Sequence, residues 1–199
     1  AVVNQTLTPP SADATVSGVL TCTTTTVQLN LVTNAPAPTF SWTGPNNFTS
    51  TQQNPSITVP GTYTGTVSIS PVNGCSTSDA VVVTQNIVPP GATATASGPI
   101  TCSTCSVQLT GSMTTQNSTF AWSGPNGFTS TQQNPTVSAA GNYTLTVTGP
   151  NGCTSTSVAS VTQNITPPGA SASPSGPINC LNATVILNGS SPSQPVTYA

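Results

Sequence analysis

The stretch FSWTGPNNFTSTQQNP at residues 40–55 recurs almost unchanged as FAWSGPNGFTSTQQNP at residues 120–135, 80 positions later. Two shorter matches follow each copy, Gly61-Thr-Tyr with Gly141-Asn-Tyr and Asn73-Gly-Cys with Asn151-Gly-Cys. Self-similarity at a fixed period is the signature of a repeat architecture. The chain is therefore built from repeated units of 78 to 80 residues.

Three matching segments that contain Cys22, Cys102 and Cys180 set the boundaries of these units. We predict that residues 1–8 form the last strand of a preceding repeat, 9–88 the first repeat, 89–166 the second, and 167–199 the N-terminal part of a truncated third. Either the sequence is a segment of a longer chain, which we favour, or the incomplete third repeat pairs with a neighbouring chain. Proline pairs at 9–10, 89–90 and 167–168 fall between units and predict short, stiff linkers.

Apolar residues within a unit alternate with polar ones, as in Val27, Leu29 and Leu31, and no segment shows a helical period. Turn sequences such as Gly44-Pro-Asn-Asn separate the alternating runs. About seven short strands per unit predict an all-β fold of tandem immunoglobulin-like β-sandwich domains joined by the Pro-Pro linkers.

Four aromatic residues occupy matching positions in the two complete units. We expect Trp42 and Trp122 to fill the two cores. Tyr63 and Tyr143 follow a glycine two positions earlier and stand where an immunoglobulin-like domain has its tyrosine corner, so we place them in the core as well.

The composition excludes several classes of function. The 199 residues include no Lys, Arg or His, and the only acidic residues are Asp13 and Asp79. The chain lacks the commonest general base and metal ligand, and it lacks the cations that bind nucleic acid. We therefore predict no enzyme activity, no cofactor or metal site, and no nucleic-acid partner. No apolar run approaches the length of a membrane span, so we expect no membrane insertion.

Six cysteines supply the cross-links that small cores need. Pairing within each unit, Cys22–Cys75 and Cys102–Cys153, is the interpretation that we favour. A strand count places those partners at opposite ends of a unit, so a bridge between units such as Cys22–Cys153 remains open. Disulfides indicate an oxidising, extracellular setting.

The two remaining cysteines have no partner in this scheme. Cys180 would have its partner outside the sequence. Cys105 forms a Cys-Ser-Thr-Cys segment with Cys102, which could be a redox or zinc motif, but we favour a surplus thiol or an alternative disulfide.

The order Phe-Ser-Trp-Thr-Gly-Pro, Gly-Thr-Tyr-Thr and Asn-Gly-Cys-Ser-Thr-Ser, closing with Val-Val-Val-Thr-Gln, resembles the immunoglobulin-like and PKD-like repeats, including the SprB-type repeats, of large Bacteroidetes surface adhesins. The resemblance covers both complete units and the start of the third. It implies export to the cell surface and a place in long filaments or adhesins such as those of gliding motility. The acidic residues that such repeats often carry before Asn-Gly-Cys are missing here, which argues against stiffening by calcium.

We therefore predict a secreted or surface-attached structural segment, acting as a disulfide-stabilised stalk with homotypic lateral packing. The expected partners are neighbouring repeats or further copies of the chain, with surface glycans as a second candidate. The alternative function is a carbohydrate-binding module of a secreted protein, which would need exposed aromatic residues.

Overall fold

The computed structural model describes residues 9–69 and 75–192. The strand predicted in residues 1–8, the turn predicted at 71–74 and the last seven residues of the third repeat lie outside the described residues. The described part consists of strands and two short 3₁₀ helices, η1 (Pro45–Asn47) and η2 (Pro125–Gly127). The strands are β1 Asp13–Val16, β2 Leu20–Thr21, β3 Val27–Val32, β4 Pro38–Gly44, β5 Phe48–Ser50, β6 Ser56–Ile57, β7 Gly61–Ile69, β8 Cys75–Val83, β9 Gln85–Asn86, β10 Ala92–Ala96, β11 Ile100–Thr101, β12 Val107–Met113, β13 Thr119–Ser123, β14 Thr129–Ser130, β15 Thr136–Val137, β16 Gly141–Thr148, β17 Thr154–Val161, β18 Gln163–Asn164, β19 Ser171–Pro174 and β20 Leu187–Ser190.

The first repeat contains two main sheets, of order β1-β3-β6 and β5-β4-β7-β8. A short parallel pair, β2 with β9, joins the first strand of the repeat to its last. This is the strand arrangement of an immunoglobulin-like sandwich, so the predicted all-β fold is confirmed. Each complete repeat has nine strand segments instead of about seven, because its first and last strands are each broken in two.

The second repeat reproduces this pattern. Its sheets have the orders β10-β12-β15 and β14-β13-β16-β17, and β11 pairs in parallel with β18. In both repeats the second proline of the preceding pair, Pro10 or Pro90, is buried, whereas the first is exposed. The second proline is therefore part of the folded repeat.

The Gln-Asn-Pro end of the duplicated stretch connects the two sheets. The indole Nε1 of Trp42 donates to the carbonyl of Gln53 at 3.1 Å, and the Gln53 amide donates to the carbonyl of Leu31 at 2.9 Å. The carbonyl of Pro55 accepts from the Leu29 N–H at 2.9 Å. These bonds satisfy backbone groups of β3 and the only polar side-chain atom of the core tryptophan. Trp122, Gln133, Gly111 and Leu109 repeat the network.

One core position is filled from opposite sheets in the two repeats. In the first, Leu31 on β3 reaches Gly65 on β7, where an added Cβ would lie 2.9 Å from a Leu31 methyl. In the second, the leucine is Leu145 on β16 and the glycine is Gly111 on β12, with the corresponding distance 3.0 Å. Because a close-packed interior holds a nearly constant volume, the leucine and the glycine have exchanged strands together.

The chain divides into two compact units that do not follow the repeat boundaries. Among the described residues, the first comprises 9–69, 75–93, 112–121 and 146–157. The second comprises 94–111, 122–145 and 158–192. The first unit thus contains the whole described part of the first repeat together with three segments of the second, one of which, 146–157, carries Cys153.

The described part of the third repeat has one antiparallel strand pair, β19 with β20. Four of its large apolar side chains are exposed, namely Ile178, Leu181, Ile186 and Leu187, and Leu181 is 96% accessible.

Candidate functional site

The most elaborate arrangement of side chains lies where the first repeat meets the second. Cys22 forms a disulfide with Cys153, with a Cα–Cα distance of 5.1 Å and a sequence separation of 131 residues. The two cysteines come from different repeats but lie in the same compact unit. We call this arrangement, which also includes Thr23, Asn86, Val88 and the turn 149–153, the clasp.

Cys22 is placed by the parallel pair of β2 with β9. Leu20 is opposite Gln85 and Thr21 is opposite Asn86, so Cys22 lies where the chain leaves the first repeat. The Thr21 side-chain oxygen accepts from the Thr24 N–H at 2.8 Å, which fixes the loop that carries the cysteine. The Cys22 side chain is exposed.

Cys153 is placed by a tight turn before β17. Gly149 N–H donates to the Cys153 carbonyl and Gly152 N–H donates to the Gly149 carbonyl, both at 2.9 Å. Gly152 has a φ of 75°, and a Cβ at this position would collide with the side chain of Thr23. Glycine is required here by the backbone conformation and by the close approach of the first repeat. Cys153 is buried.

Asn151 holds the turn against the end of the first repeat. Its Nδ2 donates to the Val88 carbonyl at 2.9 Å and to the Asn86 Oδ1 at 3.1 Å, with a longer bond of 3.3 Å to the Asn86 carbonyl. Its own carbonyl accepts from the Cys22 N–H at 3.2 Å. The clasp is therefore a hydrogen-bonded fit as well as a covalent link.

The pairing favoured from the sequence, Cys22–Cys75 and Cys102–Cys153, is wrong in this structure. Cys75 and Cys102 are free, as are Cys105 and Cys180. Cys75 begins β8, whose nine residues span roughly 30 Å at the rise of a β-strand, and Cys22 lies beyond the other end of that strand. A cystine bridges only a few ångströms between Cα atoms, so the two ends of one repeat cannot be joined. The alternative between repeats, Cys22–Cys153, is the bond that forms.

The four aromatic residues placed in the cores are buried, with Trp42 at 0% and Trp122 at 2% accessibility. Neither indole can stack on a sugar. The Tyr63 hydroxyl donates to the Val59 carbonyl at 2.9 Å, and Tyr143 repeats the bond with Ala139 at 2.8 Å. Burial raises the pKa of both phenols, and for Tyr143 the bond to the Ala139 carbonyl acts in the opposite direction.

A shallow depression lies beside each of the two tyrosines. It has a volume of about 230 Å³ beside Tyr63 and Phe48, and about 270 Å³ beside Tyr143 and Phe128. Each phenylalanine ring packs edge-on against its tyrosine. The depressions have matching linings, so they follow from the shared fold.

The two acidic residues do not form a site. The Asp79 carboxylate accepts from the Ala14 N–H at 2.7 Å, which links β8 to β1. Across residues 9–69 and 75–192, no group of three or more His, Cys, Asp or Glu is arranged to hold a metal ion. The same residues contain no helix that is both long and apolar enough to cross a membrane.

Three residues of the clasp, Asn151, Asn86 and Thr23, were not predicted from the sequence. A signal for the first two was present, because both Asn-Gly-Cys and Gln-Asn-Ile recur once in each complete repeat. Their repetition indicates that both triplets matter to the fold. It does not indicate that the Asn-Gly-Cys triplet of one repeat contacts the Gln-Asn-Ile triplet of the repeat before it.

Two solved structures of bacterial adhesins have a similar fold. A structure concerned with host cell surface retention of a 1.5-MDa bacterial ice-binding adhesin matches with a TM-score of 0.56 and 15% identity, over 81% of this chain and 67% of that one. A structure of a Ca²⁺-stabilised adhesin that helps an Antarctic bacterium to bind ice matches with a TM-score of 0.54 and 17% identity, over 82% of this chain. The chain spans about half, 52%, of the length of that second structure.

At these identities the likeness shows the fold alone. No protein-family model and no curated protein sequence matches the chain. The class that the fold defines is that of tandem immunoglobulin-like β-sandwich repeats.

Proposed function

We propose that the chain is a structural segment of an extracellular surface adhesin or filament, of the SprB-type class that its sequence resembles. In this role it is a stalk that separates other parts of the surface protein from the cell and carries no catalytic site. The two adhesin structures with a similar fold support an adhesin, and the SprB-type class rests on the sequence resemblance alone.

The observation that carries the proposal is the clasp. A disulfide inside one domain stabilises that domain, whereas the Cys22–Cys153 bond restrains one repeat relative to the next. Such a restraint is useful where reach and direction matter, as in a stalk. The bond also requires an oxidising compartment, which agrees with a surface location.

The chemistry of the surface suits lateral packing of neighbouring copies. The chain has a net charge of −2 and no basic side chains, so the electrostatic repulsion between two copies is small. Apolar side chains such as Val82 on β8 and Ile87 after β9 are at least half exposed. We expect association of copies in sedimentation experiments to change little between low and high salt, because it depends on apolar and hydroxyl contacts.

The test of a surface location uses intact cells of the producing organism. Proteinase K should remove the epitope of an antibody raised against this segment. Trypsin is a matched control, because the segment offers no Lys or Arg for cleavage. An epitope that survives proteinase K until the cells are lysed would contradict surface exposure.

The test of the stalk role uses residual dipolar couplings of the two complete repeats. We expect a single alignment tensor to fit both repeats in the oxidised chain. In Cys22→Ser the two repeats should need separate tensors, and Cys102→Ser is the matched control. Separate tensors in the oxidised chain would refute a stiff junction.

A further inference from the structure

The far end of the second repeat carries the same groups as the end of the first. Ile100 and Thr101 pair in parallel with Gln163 and Asn164, in the register that Leu20 and Thr21 have with Gln85 and Asn86. The Ile100 N–H donates to the Thr162 carbonyl at 2.9 Å, as Leu20 does to Thr84 at 3.1 Å. Cys102 is therefore held as Cys22 is, at the end of its repeat.

The loop around Cys102 also keeps its shape. Thr104 N–H donates to the Thr101 hydroxyl at 3.0 Å, which matches the bond from Thr24 to Thr21 at 2.8 Å. The two loops differ in whether their cysteine forms a disulfide. Cys22 is bonded to the cysteine of an Asn-Gly-Cys turn, whereas Cys102 is free and exposed.

The hydrogen-bond acceptors that receive the turn are repeated as well. At the first clasp, Asn151 donates to Asn86 and to the Val88 carbonyl. The equivalent positions are Asn164 and Thr166, both of which are exposed. A thiol, an amide oxygen and two carbonyls therefore occupy the positions in the second repeat that the groups of the clasp occupy in the first.

We propose that Cys102, Asn164 and the Thr166 carbonyl form a docking site for the Asn-Gly-Cys turn of another repeat, and that Cys102 forms a disulfide with the cysteine of that turn. The turn is that of the repeat that follows on the same chain, because Cys22 is bonded to the turn of the repeat that follows its own. A second copy of this chain, which offers Cys75 within the triplet Asn-Gly-Cys, is the other source that the test distinguishes. The inference rests on the proposed function to the extent that it names the partner of a stalk repeat as another repeat.

The bond forms by exchange with a low-molecular-weight disulfide such as oxidised glutathione. The Cys102 thiolate attacks one glutathione sulfur, forms a mixed disulfide and releases one reduced glutathione. The thiolate of the turn then attacks the Cys102 sulfur and releases the second. Two thiols of the protein are oxidised to one cystine, one glutathione disulfide is reduced to two thiols, and the two protons move to glutathione.

Cys105 is the competing group. It is exposed, three positions after Cys102, and its counterpart in the first repeat is Thr25. If a turn docks at this site, Cys102 should form its disulfide with the cysteine of the turn and not with Cys105.

The experiment uses two proteins in a glutathione redox buffer, followed by maleimide trapping, non-reducing gels and intact mass. The first is the full chain with Cys105→Ser and Cys180→Ser, which leaves Cys75 and Cys102 as the free thiols. If a second copy supplies the turn, a ladder of covalent multimers forms. Either Cys75→Ser or Cys102→Ser abolishes the ladder, and a mixture of these two variants stops at dimers.

The second protein is residues 1–166 followed by a duplicate of residues 89–166, with Cys105 retained. If the following repeat supplies the turn, peptide mapping joins Cys102 to the cysteine of the duplicated turn. The number of thiols that react with maleimide is then two lower than the number expected without a bridge. That expected number is the count in the Cys102→Ser,Cys105→Ser variant plus the two cysteines removed from it. In whichever protein bridges, Asn164→Ala should lower the bridged fraction about tenfold at fixed redox poise, and the neighbouring Gln163→Ala should not.

A bridge from Cys102 to the duplicated turn in the second protein is the expected result. Its absence would overturn the proposal, and multimers in the first protein would then identify a second copy as the source of the turn. A Cys102–Cys105 bond as the main product of the second protein, or bridging that is indifferent to Asn164→Ala, would also overturn it. None of these outcomes depends on where the chain is located, so failure of the surface-exposure test is distinguishable from failure of this inference.

Discussion

Loss of the clasp disulfide should destabilise the chain by a predictable amount. The Cys22–Cys153 bond closes a loop of 131 residues. In the chain-entropy model, a loop of this length restricts the unfolded state by about 5 kcal/mol. Cys22→Ser is the cleanest way to remove the bond, because Cys22 is exposed and the serine creates no buried polar group. We expect the free energy of unfolding to fall by up to about 5 kcal/mol when the two repeats unfold together.

The assay is urea unfolding followed by tryptophan fluorescence, since Trp42 lies in the first repeat and Trp122 in the second. Cys102→Ser is the matched control, because it alters the equivalent exposed position without breaking a bond. Reduction of the unmodified chain should reproduce the Cys22→Ser curve. The reasoning is refuted if Cys22→Ser and Cys102→Ser unfold at the same urea concentration.

Three further predictions follow from the packing and the hydrogen bonds. Leu31→Gly and Gly65→Leu should each cost at least about 2 kcal/mol, and the double variant should recover most of the loss, as a double-mutant cycle in urea will measure. Asn151→Ala should cost about 1–3 kcal/mol in the same assay, whereas an unchanged midpoint would remove it from the clasp. Because burial raises the pKa of Tyr63 and Tyr143 above 10.0, the folded state keeps these protons longer than the unfolded state. Stability is therefore full below pH 10 and falls above it, and replacing both with Phe should flatten that fall in urea midpoints measured against pH.

The fold could be predicted from the sequence because its signals are local. Alternation of apolar residues along β3 and β7 defines which side chains face the core, and the turn sequences separate the strands. The repetition of the Trp-containing stretch adds that this pattern occurs twice. These features depend on neighbours along the chain, which a single sequence displays directly.

The disulfide pairing could not be predicted in the same way, because it depends on which ends of two repeats meet. Cys22 and Cys75 belong to the same repeat in sequence, but β8 separates them in space. The exchange of Leu31 and Gly65 for Gly111 and Leu145 is also invisible without the structure, since each substitution alone looks like a departure from the repeat. Only the facing strand shows that the volume is conserved.

The clasp also determines the path of mechanical load along the chain. When force is applied to the two ends of a chain of domains without such a bond, every domain bears the force, and each can unfold. Here tension that reaches Cys22 crosses the sulfur bridge to Cys153, so the 131-residue interval between them is bypassed. That interval represents about 450 Å of contour length that cannot be drawn out while the cystine is intact.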